Sequence, residues 1–172
     1  MAVTLRPLRP GDEQAAVRWA ADPEFCLAAG WTPHLAPRVV QTHWKRLIAG
    51  AGPDFLRLGI EENGALVGYV DLAHRQAHTA ELGVAIGERA QWGRGLAAEA
   101  CGLLLAVAFG PLGLETVTAQ VHAANSRSHR LMLGLGFVEV GRAEPELYRG
   151  KPGDVICYLL RQADFHQASA VP

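Results

Sequence analysis

Trp92-Gly93-Arg94-Gly95-Leu96-Ala97-Ala98-Glu99-Ala100 is the stretch whose reading decides the fold. It follows a strand-like run, Thr79–Ile86, and opens a helical run, Gly95–Phe109, that is apolar nearly all round with only Glu99 breaking the pattern. A helix of that kind must be covered on most sides. A further strand-like run, Glu115–His122, comes after it, and strand, helix, strand in succession imply a right-handed parallel crossover. Glycines at the head of a buried helix let the backbone approach a ligand closely, and the unpaired N–H groups there favour an anion. The turn is therefore expected to bind phosphate, with Arg94 adding charge at the rim. The same glycines would also serve a tight connection that binds nothing.

Working outward, Val3–Leu8 reads as a first strand and Asp12–Ala21 as a helix, with Ala15, Ala16, Trp19 and Ala20 at helical spacing. Asp22-Pro23 closes that helix, a loop spans Gly30–Pro37, and a second helix occupies Arg38–Ala49. Phe55–Glu62 and Ala65–Ala73 are strands joined by Asn63-Gly64, a strong hairpin signal, and with Thr79–Ile86 they form an antiparallel meander. Downstream lie a helix at Ser126–Leu135 and strands at Phe137–Arg142 and Asp154–Leu160. The fold class is α/β (α+β): a mixed, mostly antiparallel sheet of about seven strands flanked by helices. One domain is expected over residues 1–172, with 163–172 a flexible tail.

Composition narrows the function. The 172 residues carry 16 Lys+Arg against 17 Asp+Glu, a formal charge of −1, and no basic block. That excludes wholesale phosphate neutralisation, so neither nucleic acid nor an anionic membrane is an expected partner. The longest purely apolar run, Leu103–Phe109, is far short of the roughly 20 residues a span needs, and Met1–Pro10 has no signal core. The cytoplasm is the expected compartment. Cys26, Cys101 and Cys157 are scattered without metal spacing and read as small buried residues, so no metal is expected.

Two phosphate chemistries compete for the turn. Gly93-x-Gly95-x-x-Ala98 fits the dinucleotide fingerprint, but Gly87–Trp92 separates it from the preceding strand and no acidic residue closes the next one. Four segments in order, Ala80–Ile86, Trp92–Ala100, Asn125-Ser126-Arg127-Ser128 and Gly136-Phe137, resemble the GNAT acetyltransferase superfamily. With the opening Leu5–Asp12 and the closing Tyr148–Leu160, they are similar to its RimJ/RimL-type branch of ribosomal-protein N-terminal acetyltransferases. One departure is Trp92, where the superfamily often has Gln or Arg; it is expected to pack on the cofactor or the core.

The resemblance implies acetyl-CoA in a cleft where Thr79–Ile86 and Glu115–His122 splay apart, with its pyrophosphate on the N–H groups of Gly93, Arg94, Gly95, Leu96 and Ala97. The pantetheine arm would pair along Val84, Ala85 and Ile86, with the Ala85 N–H polarising the thioester carbonyl. Direct attack by an amine then needs a base and an acid. Glu81 holds the family's base position and His78 is its alternative. The Tyr that many members use as acid is Met132 here, which leaves Ser128 of the Asn-x-x-Ser motif. Asn125 serves as a helix cap or as a contact to the pantetheine. Trp31 and His34 fall in the segment that forms one wall of the family's acceptor site. Implied partners are an amine acceptor, either a protein N-terminus or a small molecule, and the family allows a homodimer. A non-catalytic acyl-CoA-binding domain and a nicotinamide enzyme are the alternatives.

Overall fold

Asn63 and Gly64 both take positive φ, 53° and 77°, the two-residue turn that matches the right-handed twist of flanking strands. The hairpin they close, β2 (Leu56–Glu62) with β3 (Ala65–Ala73), lies in the middle of one half of the sheet. In the computed structural model, which describes residues 3–166, the sheet has the order β1-β2-β3-β4-β5-β7-β6. Its other members are β1 (Thr4–Pro7), β4 (Thr79–Ile86), β5 (Thr116–His122), β6 (Val138–Tyr148) and β7 (Lys151–Arg161). Every pairing is antiparallel except β4 with β5.

The parallel pair is joined by α4 (Leu96–Phe109), the expected buried helix. Leu96, Ala100, Cys101, Leu104, Leu105 and Ala108 are buried in one core with Val70, Leu72, Leu82 and Val117 of the sheet. Its lone acid is used, because Glu99 Oε1 accepts the Val3 N–H at 2.9 Å and ties the first strand to the helix. Burial pushes the Cys101 thiol up to about 12, so it behaves as the expected inert core residue. Cys26 is also buried, whereas Cys157 is only half-buried.

The opposite face carries α1 (Glu13–Ala20), α2 (Pro23–Ala29) and α3 (Pro37–Ala49) over an aromatic core of Trp19, Phe25, Trp44 and Tyr69. Their rings meet at 5.7–6.4 Å between centroids, mostly tilted or edge-on, as the quadrupoles of aromatic pairs prefer. The sequence reading treats Asp22-Pro23 as a stop, and the structure shows that it is also a start. The Asp22 carboxylate accepts the Glu24 N–H at 3.1 Å and Pro23 occupies the first turn, where its missing donor costs nothing.

The last hairpin runs longer than its apolar residues suggest. β6 and β7 pair from Val138↔Leu159 out to Tyr148↔Lys151, through a polar arm in which Arg142 and Asp154 form an ion pair. At the C-terminus, the expected tail over 163–172 is packed at its start: a 3₁₀ turn spans Gln162–Asp164 and Phe165 meets Phe109 at 5.4 Å. Residues 167–172 of that tail lie outside the described residues.

Asp12 anchors α1 to the sheet. Arg6 donates to it through both terminal nitrogens at 2.8 and 3.0 Å, and the Arg9 N–H adds a third bond at 2.8 Å. Burial alone would raise this carboxyl, but those donors overcome it and hold it below its ordinary value. A depressed carboxyl stabilises the fold above its unfolded value of about 3.9, and that contribution is lost as pH falls through the folded one. Urea unfolding of Asp12→Asn should accordingly show a shallower loss of stability below about pH 4 than the parent chain. Parallel acid limbs would exclude this carboxylate as a contributor.

Candidate active site

β4 and β5 pair in parallel over three positions only, Thr79↔Thr116, Ala80↔Val117 and Glu81↔Thr118. Beyond Glu81 the two strands continue without pairing each other, and a cleft of about 610 Å³ lies between the free end of β4 and the segment that follows β5. That size suits a small-molecule or cofactor site. Val84, Ala85 and Ile86 line one side of it, and Asn125 and Ser128 line the other.

The glycine-rich turn forms the end of the cleft. Gly93 and Gly95 take φ of 76° and 83°, and a Cβ at either would meet no protein atom within 4 Å. Their side-chain space therefore faces the open cleft, and the left-handed backbone is what demands glycine. Gly95 is the N-cap of α4 and no side chain caps the helix, so its first N–H groups have no partner within the helix. Gly93, Gly95, Leu96 and Ala97 line the cleft. A row of free donors at the positive end of a fourteen-residue helix fits a pyrophosphate.

Trp92 packs against the aromatic core, as expected of it, whereas Arg94 does not add charge at the rim. The Trp92 indole donates to the Ile86 carbonyl at 2.8 Å and so pins the turn to the end of β4, while its ring lines the cleft. Arg94 turns away. Both its terminal nitrogens bond the buried Glu62 at 2.9 Å, and it does not line the cleft. Positive charge comes instead from Arg127 and Arg130 of α5 (Ser126–Gly134), both of which line the cleft, with the Arg127 guanidinium 5.0 Å from the Trp92 ring centroid. The signal was present in the spacing: on a helix, residues three apart share a face, and Arg127 and Arg130 flank Ser128 on the helix that follows Asn125.

α5 is set in place by two devices. Asn125 is its N-cap, with Oδ1 accepting the Ser128 N–H at 3.2 Å. His129 is the other, and its sequence context gave no sign of a role. Its Nε2 lies 3.1 Å from the carbonyls of His122 and Ala123, and its Nδ1 lies 2.6 Å from the Tyr158 hydroxyl. Two carbonyls at Nε2 require a proton there, so Nδ1 accepts from Tyr158. Across the cleft, Arg149 in the β6–β7 turn donates to Glu24 of α2, and both residues line the cleft.

Glu81 is the last residue of the parallel ladder and is half-buried. The cleft lining on β4 begins at Val84, so Glu81 lies at the closed end where the strands part. His78 does not share that place. It precedes β4, its side chain is 69% exposed, and its Nδ1 is 3.5 Å from Glu115. His34 sits exposed in the loop before α3 at φ 63° and does not line the cleft. Trp31 is packed rather than free: its ring is 4.9 Å from Phe25 and its Nε1 donates to the Tyr69 hydroxyl at 2.8 Å. Burial is the main cause that pushes that hydroxyl up to about 12. Among the described residues, no group of three His, Cys, Asp or Glu could hold a metal ion, and no helix is long and apolar enough to cross a membrane.

A family model described as an acetyltransferase (GNAT) domain matches residues 2–138. Among solved structures, the chain is similar to a spermidine N-acetyltransferase from Vibrio cholerae in complex with CoA and spermine. The TM-score is 0.82 at 22% identity, over 94% of this chain and 96% of that one. It is also similar to an acetyltransferase of the GNAT family from Bacillus anthracis, with a TM-score of 0.79 at 17% identity over 95% and 96% of the two chains. A probable acetyltransferase gives 0.81 at 23% identity over 95% of each. At these identities the likeness establishes the fold. No curated protein sequence matches the chain.

Proposed function

The chain belongs to the GNAT acetyltransferase family, and from that premise we propose that it carries acetyl from acetyl-CoA to a primary amine by direct attack in a ternary complex, with a protein N-terminus as acceptor. The observation that carries this reading is the splay of β4 from β5 next to a helix start whose N–H groups are unpaired. A pantetheine arm that ends in a pyrophosphate matches both halves of that opening. Residues Gly93 to Ala97 would hold the phosphates, with Arg127 and Arg130 supplying the charge that Arg94 commits to Glu62. The pantetheine would lie along Val84–Ile86, where the Ala85 N–H polarises the thioester carbonyl.

Glu81 takes the proton that the ammonium must lose before its nitrogen can attack, directly or through a water. As the carbon–sulfur bond breaks, Ser128 gives a proton to the leaving thiolate and recovers one from the amide nitrogen. Glu81→Gln is expected to lower kcat about tenfold or more while leaving acetyl-CoA affinity within about twofold, the pattern of a group that acts only in the transition state. An unchanged kcat would remove Glu81 as the base.

The family reading is tested by mixing the protein with acetyl-CoA and a panel of amines and following free thiol. The panel should contain peptides with free N-termini, diamines, an aminoglycoside and amino acids. Release with peptides alone would support the RimJ/RimL-type assignment, and release with small amines alone would replace it by small-molecule acetylation. Saturable acetyl-CoA binding with no thiol from any amine would favour a non-catalytic acyl-CoA-binding domain. The single sheet that runs from the first strand to the last supports one domain, and the three free cysteines suit the cytoplasm.

A further inference from the structure

The two glycines of the proposed phosphate turn leave its backbone with little restraint of its own. Gly93 and Gly95 flank a single residue, Arg94, and both take positive φ, a region that glycine enters and leaves freely. A backbone that grips an anion through its N–H groups must be ordered before the anion arrives, or the ordering is subtracted from the affinity. Three attachments supply that order. At the entry, the Trp92 indole is bonded to the Ile86 carbonyl at the end of β4. At the exit, Leu96 is buried in the core with the rest of α4. Between the two glycines, the Arg94 side chain reaches out of the turn to Glu62.

Glu62 is the last residue of β2, directly before the Asn63-Gly64 turn, and its side chain is only 5% exposed. Arg94 Nη1 bonds Oε2 and Nη2 bonds Oε1, each at 2.9 Å, a two-pronged geometry that fixes direction as well as distance. The buried acids among the described residues are Asp12, Glu13 and Glu62. Asp12 and Glu13 serve the start of α1, where they accept from Arg6 and from the Gly11 N–H. Glu62 instead reaches a turn 32 residues away. Burying a carboxylate is costly, and an apolar pair of similar size often serves stability as well or better. What the ion pair adds is orientation.

Resting on the acetyl-CoA reading, we propose that Glu62 is a positioning residue for the pyrophosphate. Through Arg94 it holds the backbone from Gly93 to Ala97 in the form that receives the anion, so Arg94 serves the cofactor by this bond and not by its charge. The opposite role would have the opposite sign. Were Arg94 a phosphate ligand held back by Glu62, weakening the pair would release it and tighten binding.

Glu62→Gln keeps the shape and an acceptor oxygen while removing the charge. It should bind CoA about fivefold to tenfold more weakly than the parent chain in calorimetric titration, with inorganic pyrophosphate weakened in step. Pantetheine, which has the arm and no phosphate, should bind both proteins alike. In turnover the loss should appear in KM for acetyl-CoA with kcat nearly unchanged. Glu62→Met with Arg94→Met strands no charge, so its Tm should stay near that of the parent while the loss of CoA affinity persists. CoA binding that is unchanged or tighter in Glu62→Gln, or a matching loss for pantetheine, would overturn the proposal. A parent chain that binds pyrophosphate in this Glu62-dependent way but not CoA would refute the acetyl-CoA reading and leave the role of Glu62 standing. One that binds neither ends both.

Discussion

Gly95→Glu is expected to weaken acetyl-CoA binding by more than a hundredfold, about 3 kcal/mol or more. Three effects act together at this position. The backbone sits at φ 83°, where a residue with a Cβ costs roughly 1–2 kcal/mol. Any side chain there points into open cleft, because nothing in the protein comes within 4 Å of the Cβ position. The added carboxylate then stands at the start of α4, at the place where a pyrophosphate would take up the free N–H groups. Gly95→Ala separates the terms: it carries the backbone cost and the methyl group without the charge, and it should lose much less affinity. Calorimetric titration with acetyl-CoA reads both variants, with thermal unfolding as the check on folding. Retained affinity in the glutamate variant would make the turn a structural connection only.

Asp71→Ala is expected to destabilise the fold by about 3 kcal/mol, toward the low end for breaking a buried pair because both side chains keep a little exposure. For a chain of this size that is a fall of roughly 6–12 °C in Tm. The cause is the partner left behind. Burial works against the charge of both residues, and Arg57 stays protonated because Asp71 answers it with two bonds. Removing the carboxylate strands a guanidinium between Tyr69, Trp44 and Phe55. Replacing both members, Asp71→Ala with Arg57→Met, should recover most of the loss, since an apolar pair needs no compensation. A double variant as unstable as the single one would show that the packing of Asp71 over Gly83, and not the stranded charge, sets the cost.

Much of this molecule is legible in the sequence where local chemistry and tertiary structure agree. Asn63-Gly64 marks its hairpin, the apolar length of Leu96–Phe109 marks the covered helix, and the glycines between Trp92 and Leu96 mark the turn at its head. Reading fails where a side chain's partner lies far along the chain. Arg94 looks like a phosphate ligand until Glu62, on the neighbouring hairpin, takes both its nitrogens. His129 looks idle until the fold brings Tyr158 and two carbonyls of the preceding strand end to its ring. The outer half of β6–β7 was missed for a different reason. Its residues are mostly exposed and follow no apolar alternation, so pairing there is held by the hairpin's own ladder and not by burial. Asp22-Pro23 carries both meanings at once, an end for α1 and a beginning for α2, and sequence alone favoured the first.

With only three residue pairs between β4 and β5, the sheet is two leaves hinged along a short seam. One leaf is β1 to β4 and the other is β5, β7 and β6, and each has long antiparallel ladders of its own. Apart from the seam, α4 is the main element packed across both. A ligand lying in the opening would meet Val84–Ile86 of one leaf and Tyr148 of the other, and so would bridge them. If the proposed cofactor binds there, its occupancy would link the stability of one half to that of the other.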